Sequence, residues 1–405
     1  MKKILIIHSH NANRGDEAAV KAMVDELLVK YPDADITISN NGFTPYPNMP
    51  VQVKQIDRFP KLQSKVAQAE FFMALATKGK LVFTKEGKEF MKALKSANLV
   101  IHAPGGPSIG DTYYKAESLY LWRLNFIRKL KKPYMFYAPS MGPFKDEKRN
   151  KRRKEILQGA EKVIVRDPIS LKYLNDFMPE LHAQQALDSA FQHDVDYELN
   201  EHKYNDYKEL KEFIESHDKC IGITITDLKW HPVHKNEEVI NNIKPAFSAF
   251  IKKKISEGYG VVFVPQLYGT SNDTNSMMQY MDEGNTFMVD AFSDKYDTYF
   301  QQHIIGKLYA VVGMRYHSNI FSAKMGTPFV SVSYEQKMKG FMQSVGLEQY
   351  CVDLYNMNEQ LLEEKFSVLE NNYDEYKNKL KGLHDWMRSE AYSSTEAVIS
   401  ILEGK

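Results

Sequence analysis

The sequence predicts an α/β protein made of two domains of similar size, each a parallel sheet flanked by helices. Three observations lead there. The chain has 405 residues, more than one hydrophobic core comfortably organises. Short apolar runs of strand length alternate with stretches of helical periodicity, the pattern of βα units. Finally, residues 194–216 are polar, acidic and poor in aliphatics, and a second βα series begins after them, so a linker is expected there.

The elements follow in order. KILIIHS (3–9) reads as a buried strand, and 16–30 as a helix with Asp16 near its first turn. ADITISN (34–40) is a second strand, and 60–97 is mostly helical and basic. NLVIHAPGG (98–106) is a strand running into a glycine turn, followed by a helix over 116–130. KPYMFYAPSMG is strand then loop, 147–159 a strongly charged helix, and KVIVRDPIS (162–170) a strand leading into a helix. The second series comprises CIGITITD (220–227), VVFVPQ (261–266), AVVGM (310–314), PFVSVSY (328–334) and the short QYCVDL (349–354). From 357 the chain is mostly helical and charged. Segment 286–302 reads either as a helix lining a cleft or as a lid.

Composition narrows the functional classes. Hydrophobic residues make up 43% and charged residues 26%, as in a soluble globular protein. A net charge of +1 gives no support for a nucleic-acid footprint. The two cysteines, Cys220 and Cys351, make no disulfide scaffold, which fits a cytoplasmic location. MKKILIIHS is too short an apolar run for a signal peptide, and no run of about 20 apolar residues predicts a spanning helix. The charge run 146–155 reads as a solvated helix face. Its second reading is attraction to an anionic acceptor or bilayer, that is, peripheral contact at the inner face of a membrane. No motif fixes an oligomeric state.

The most informative stretch is VVGMRYHSNIFSAKMGTPFVSVSYEQK (311–337). An apolar strand ends in Arg315, Tyr316 and His317, a helix follows, and a second strand carries Tyr334, Glu335 and Lys337 at its end. A guanidinium and an imidazole between a strand and a helix N-terminus suit an anion bearing a carboxylate or phosphate. Each residue also has a plain reading as cap, turn residue or local ion pair. Arg166 and Asp167, for instance, form either a ligand contact or a salt bridge. His231 and His234, spaced i, i+3 around Pro232, are no credible metal pair, nor are His8 and His10.

Three groups of residues resemble the polysaccharide pyruvyl transferase family. They are Asn13–Arg14–Gly15–Asp16–Glu17; APGGPSIGD (103–111) with VRDPIS (165–170) and LDSAF (187–191); and VPQ (264–266) with MRYHSNIFSAKMGTPF (314–329) and YEQKMKGF (334–341). Together they span about residues 1–350, and the Arg-Tyr-His-Ser block is the most specific. The resemblance implies a glycosyltransferase-B-like fold of two Rossmann-like domains facing a cleft. Residues 1–200 would form the acceptor side and 201–380 the donor side, with a final helix (381–405) packing back on the first domain.

It also implies transfer of the enolpyruvyl moiety of phosphoenolpyruvate to a sugar, with release of phosphate and formation of a cyclic ketal. The acceptor would be a glycan, a sugar nucleotide or a lipid-linked sugar. No metal or other cofactor is implied. Carried over to this chain, Asp111, His317 and Arg315 are the catalytic candidates. Arg166, Lys337, Asn13, Asp16, Gly105, Gly106, Gln266, Tyr334 and Ser318 are the substrate-binding ones. Pro107 stands where the family turn more often has a third glycine. The competing reading is a sugar-nucleotide-dependent glycosyltransferase of the same fold, which would need room for a base and ribose.

Overall fold

A computed structural model describes residues 1–10, 12–41, 45–60, 65–229, 231–235, 237–268, 272–291 and 295–404. Among them the strands are β1 (Lys3–Ser9), β2 (Asp35–Asn40), β3 (Lys54–Asp57), β4 (Leu99–His102), β5 (Gly105–Ile109), β6 (Tyr134–Phe136), β7 (Pro139–Met141), β8 (Lys162–Val165) and β9 (Gln184–Gln185). In the second half they are β10 (Cys220–Thr224), β11 (Gly260–Phe263), β12 (Thr286–Met288), β13 (Ala310–Gly313), β14 (Phe329–Ser333) and β15 (Cys351–Asp353). The chain divides into two compact units: Met1–Asn11, Ala19–His193 and Glu390–Lys405 in the first; Ala12–Ala18 and Asp194–Ser389 in the second.

The first unit holds a parallel sheet in the order β3-β2-β1-β4-β6-β8-β9. Its strands are apolar on both faces because helices cover both. Leu5 and Ile7 of β1 enter one core with Phe136 and Val165, while Ile4 and Ile6 enter another with Ile36 and Ile101. The register of β1 against β2 slips between Ile7 and Ser9, a bulge at His8. The last turns of the C-terminal helix (Tyr373–Glu403) belong to this unit, where Thr395 meets the Tyr137 hydroxyl at 2.5 Å and Val398 is buried.

The second unit repeats the plan in the order β12-β11-β10-β13-β14-β15, again parallel. Counting only the strands within each sheet, the second runs 3-2-1-4-5-6, the Rossmann order, and the first runs the same with a seventh strand added at the edge. Such sheets bind ligands at the carboxyl ends of strands 1 and 4, where the winding reverses. Those positions are β1 and β4 in the first unit, and β10 and β13 in the second.

Three expectations are corrected. Residues 194–216 are not an irregular linker but carry two helices, Tyr197–Asp206 and Lys208–Glu215. Asp196 caps the first by accepting the Leu199 N–H at 2.9 Å, and Tyr204 and Leu210 are buried. The glycine turn at 105–106 begins a short strand that pairs with β7. Within 286–302, β12 comes first and a helix (Thr298–Lys307) starts only after Asp297, which accepts the Tyr299 and Phe300 N–H groups; 292–294 lie outside the described residues. Among the described residues no helix is long and apolar enough to cross a membrane.

Candidate active site

The second unit's switch point is built by side chains that lock β10 to β13. Thr224, at the end of β10, accepts the backbone N–H groups of Met314 and Arg315 through its hydroxyl oxygen, at 3.1 and 3.2 Å. The same oxygen lies 2.8 Å from the Ser318 hydroxyl, which donates to the Arg315 carbonyl at 2.6 Å. Ser318 is fully buried in the first turn of the helix Tyr316–Met325, where its hydroxyl ties that turn to the end of β10.

Arg315 is buried, and its guanidinium makes a two-pronged pair with Asp273, with Nε donating at 3.0 Å and Nη2 to the second oxygen. Burial alone would lower the Arg315 pKa, but the Asp273 and Tyr334 charges and their hydrogen bonds together outweigh it and hold the value above its usual range. Asp273 also accepts the backbone N–H groups of Gln266 and Leu267, at 3.1 and 2.9 Å. Tyr334, buried at the end of β14, hydrogen-bonds Arg315 as well. Gln266 is buried, and its Nε2 has no hydrogen-bond partner among the described residues.

A pocket of about 670 Å³ opens beside this cluster, lined by Arg315, Asp273, Asp227, Lys229 and Thr226 among others. Lys229 is exposed, and its ammonium makes no ion pair with any described residue. Next to it Leu228 takes a left-handed backbone (φ 53°), a strained conformation of the kind that gathers at functional sites.

The Asn13–Glu17 turn belongs to this unit and not to the acceptor side expected for residues 1–200. Asn13 caps the helix Arg14–Lys30 by accepting the Gly15 N–H at 2.8 Å, and the Arg14 N–H donates to the Gln266 carbonyl at 2.9 Å. Half-buried Asp16 stands in the helix's first turn. Gly15 is packed under His317: a β-carbon there would fall 2.6 Å from the His317 β-carbon and closer still to its ring. Arg14 pairs with Glu17 at 2.7 Å. Full burial pushes the Glu17 carboxyl up to about 7, against the pull of Arg14.

Lys337 pairs with Glu335 and lies 5.7 Å over the Tyr316 ring. Glu335 in turn meets His231 Nε2 at 2.8 Å, while His231 Nδ1 accepts the Val233 and His234 N–H groups. His231 is therefore a buried loop anchor. Among the described residues no group of three or more His, Cys, Asp or Glu is arranged to hold a metal ion.

Asp111, Arg166, Gly105 and Gly106 lie in the first unit. Asp111 accepts the Lys145 N–H at 2.6 Å and pairs with Arg153 at 2.8 Å. Arg153, on the charged helix Glu147–Gln158, is turned fully inward and also pairs with Glu117 at 2.7 Å, so this helix is not solvated all round. Arg166 is buried and bonds Asp188 at 2.5 Å, Ser140 at 3.0 Å and the Gly106 carbonyl at 3.3 Å. These bonds are the salt-bridge arrangement, through which Arg166 braces the glycine turn. Gly106 has φ 99°, and a β-carbon there would sit 3.2 Å from the Ser140 carbonyl oxygen, so the turn requires glycine.

Comparison with known proteins decides what this arrangement serves. Residues 13–336 match the family described as polysaccharide pyruvyl transferase, a span that includes the Asn13 turn, Asp111 and the Arg315–Gln336 block. The chain belongs to the polysaccharide pyruvyl transferase family. It is thus an enzyme that transfers a pyruvyl group to a sugar of a polysaccharide or its precursor. A relative from Erwinia amylovora, the amylovoran biosynthesis protein AmsJ, is 24% identical and aligns over 92% of this chain and 93% of its own length.

Among solved structures, a putative UDP-N-acetylglucosamine 2-epimerase from Listeria monocytogenes superposes with a TM-score of 0.61 at 13% identity, covering 100% of this chain and 98% of its own. The UDP-GlcNAc 2-epimerase of Neisseria meningitidis gives 0.58 at 11% identity, covering 99% and 100%. A ugt transferase from Siraitia grosvenorii in complex with UDP gives 0.58 at 9%, covering 100% of both chains. At these identities the likeness is one of fold: two Rossmann-like units of the glycosyltransferase-B kind.

Four site residues escaped the sequence reading: Asp273, Lys229, Thr224 and Glu17. Of these only Glu17 lay inside a recognised motif. Asp273 sits 42 residues before its arginine partner, in a stretch with no strand signal.

Proposed function

We propose that the enzyme takes its pyruvyl group from phosphoenolpyruvate, with the donor held at the switch point of the second unit. The observation that carries this reading is the Arg315 fork beside a pocket that also presents the ammonium of Lys229, which makes no ion pair with any described residue. Asp273 fixes the fork's orientation and cancels much of its charge, so Lys229 supplies the net attraction for a carboxylate or phosphate. Lys337 is the third cationic contact and Gln266 Nε2 a neutral donor.

In the reaction the CH2 terminus of the donor gains a proton, and positive character develops at C2. An acceptor hydroxyl adds there, the C2–O bond to phosphate breaks, and a second hydroxyl then adds to the same carbon. One hydroxyl proton ends in the new methyl group and the other leaves with phosphate, so atoms and charge balance. We assign His317 as the acid toward the donor and Asp111 of the first unit as the base toward the acceptor, its charge balanced by Arg153. The first unit takes the acceptor glycan, sugar nucleotide or lipid-linked sugar.

Incubation of the full chain with phosphoenolpyruvate and a panel of such acceptors tests this. Phosphate release that depends on a sugar, with a ketal methyl in the product's proton spectrum, is expected. Sugar transfer from a nucleotide sugar without loss of phosphoenolpyruvate would overturn it.

A further inference from the structure

The first unit carries a second polar cluster at its own switch point, and nothing above uses it. His8 is the penultimate residue of β1 and His102 ends β4, the two strands between which the winding reverses. Their rings are 4.7 Å apart, and His8 also lies 4.2 Å from the ring of Tyr120. Both imidazoles are buried, 2% and 1% exposed. Neither His8 nitrogen, nor Nε2 of His102, has a hydrogen-bond partner among the described residues.

Arg123 completes the group. Its charge acts on His8, and it is 2% exposed. Nε donates to the Phe59 carbonyl at 2.7 Å and Nη1 to the Asn41 side-chain oxygen at 2.8 Å, but Nη2 has no partner among the described residues. The other buried arginines, Arg14, Arg153, Arg166 and Arg315, each pair with a carboxylate; among the described residues Arg123 has only neutral acceptors. A buried guanidinium with neutral partners, its charge acting on the His8 imidazole, is costly unless an anion completes it. Burial pulls Arg123 down to about 9 and His102 to about 4, and holds His8 well below its usual value.

The backbone is also bent toward this arrangement. His8 sits at φ 65°, in the left-handed region, at the bulge in β1. A histidine held there is strained, and such strain persists where it aims a side chain. The Tyr120 hydroxyl, 2.5 Å from exposed His10 and 3.3 Å from Asn41, links the cluster to the surface.

We infer that Arg123, His8 and His102 form an oxyanion subsite that holds a phosphate or carboxylate of the acceptor. The inference rests on the reading that the first unit takes the acceptor, and it deepens that reading: the acceptor is anionic, a sugar phosphate or a uronic acid, rather than a neutral sugar.

The test follows the histidine ring signals of the full chain by NMR, assigned through His8→Asn and His102→Gln, during titration with inorganic phosphate, glucuronate and phosphoenolpyruvate. Saturable movement of the His8 and His102 signals with phosphate or glucuronate is expected, with affinity at least tenfold weaker in Arg123→Gln and partly kept in Arg123→Lys. Which of the two probes acts tells a phosphate acceptor from a carboxylate one. Should Arg123→Gln fail to fold, His8→Asn reads the same loss, because asparagine tolerates a positive φ. Unmoved signals with every probe overturn the subsite. Movement with phosphoenolpyruvate alone overturns its assignment to the acceptor. If phosphoenolpyruvate instead fails to bind anywhere, the donor reading falls while the phosphate and glucuronate arms still decide this one.

Discussion

His317 lies over the α-carbon of Gly15, so that two sequence blocks about 300 residues apart form one surface in the second unit. Any side chain at 15 would displace the imidazole. Gly15→Ala should therefore lower stability by about 1–3 kcal/mol, read by urea denaturation, and reduce turnover through the displaced ring. In a His317→Gly background, which removes the β-carbon as well as the ring, Gly15→Ala should cost much less stability than in the wild type. An equal cost in both backgrounds contradicts the contact.

Asp273 should matter for stability as much as for binding. Asp273→Asn removes the charge opposite a buried guanidinium while keeping the shape. A loss of roughly 2–4 kcal/mol in the unfolding free energy is expected. The exposed pair Lys172–Asp176 is the control: Asp176→Asn should change stability by less than about 0.5 kcal/mol. Equal effects would show that the Arg315–Asp273 pair is not held as described.

Glu17 predicts a pH dependence with a definite sign. Its folded value of about 7 lies above the ordinary 4.5, so folding favours its protonated form. That contribution is complete below about 4.5 and is lost as pH rises through about 7. Relative to Glu17→Gln, the wild type should lose roughly 3 kcal/mol of stability across this interval. Parallel stability curves for the two proteins between pH 4.5 and 7.5 would contradict the shift.

The end of the chain is part of the first unit's core. Removing residues 390–405 takes away Thr395 and Val398 and leaves the buried Tyr137 hydroxyl with Gln192 alone, at 3.0 Å. Hydrogen exchange should then quicken in β6 and β4 and stay unchanged in β13 and β14. Uniform exchange in both units would contradict this placement.

The strands were legible in the sequence because both sheets are covered on both faces, so each strand is a short apolar run: KILIIHS, CIGIT, AVVG, FVSVS. The two helices within 194–216 were not, since each buries so little, Tyr204 and Leu210 among polar residues. Strand β5 was hidden by its two glycines. Arg315, His317 and Tyr334 could be named from the sequence because they are contiguous with strand ends. Of the acids that govern the cations, Glu335 and Asp188 lay in recognised motifs, though which cation each meets was not readable; Asp273, which meets Arg315 through tertiary packing, had no local periodicity to mark it. His8 and His102 looked like ordinary strand ends. Only the sheet order shows that they flank the switch point.

The central claim is that phosphoenolpyruvate binds the second unit at Arg315 and Lys229. Calorimetric titration of phosphoenolpyruvate against the wild type, Lys229→Ala and Arg315→Gln addresses it most directly. The account predicts saturable binding to the wild type, weakened about tenfold or more in Lys229→Ala, a surface change that leaves folding intact, and abolished in Arg315→Gln. Equal affinity in all three proteins, or binding of a nucleotide sugar with none of phosphoenolpyruvate, would contradict it.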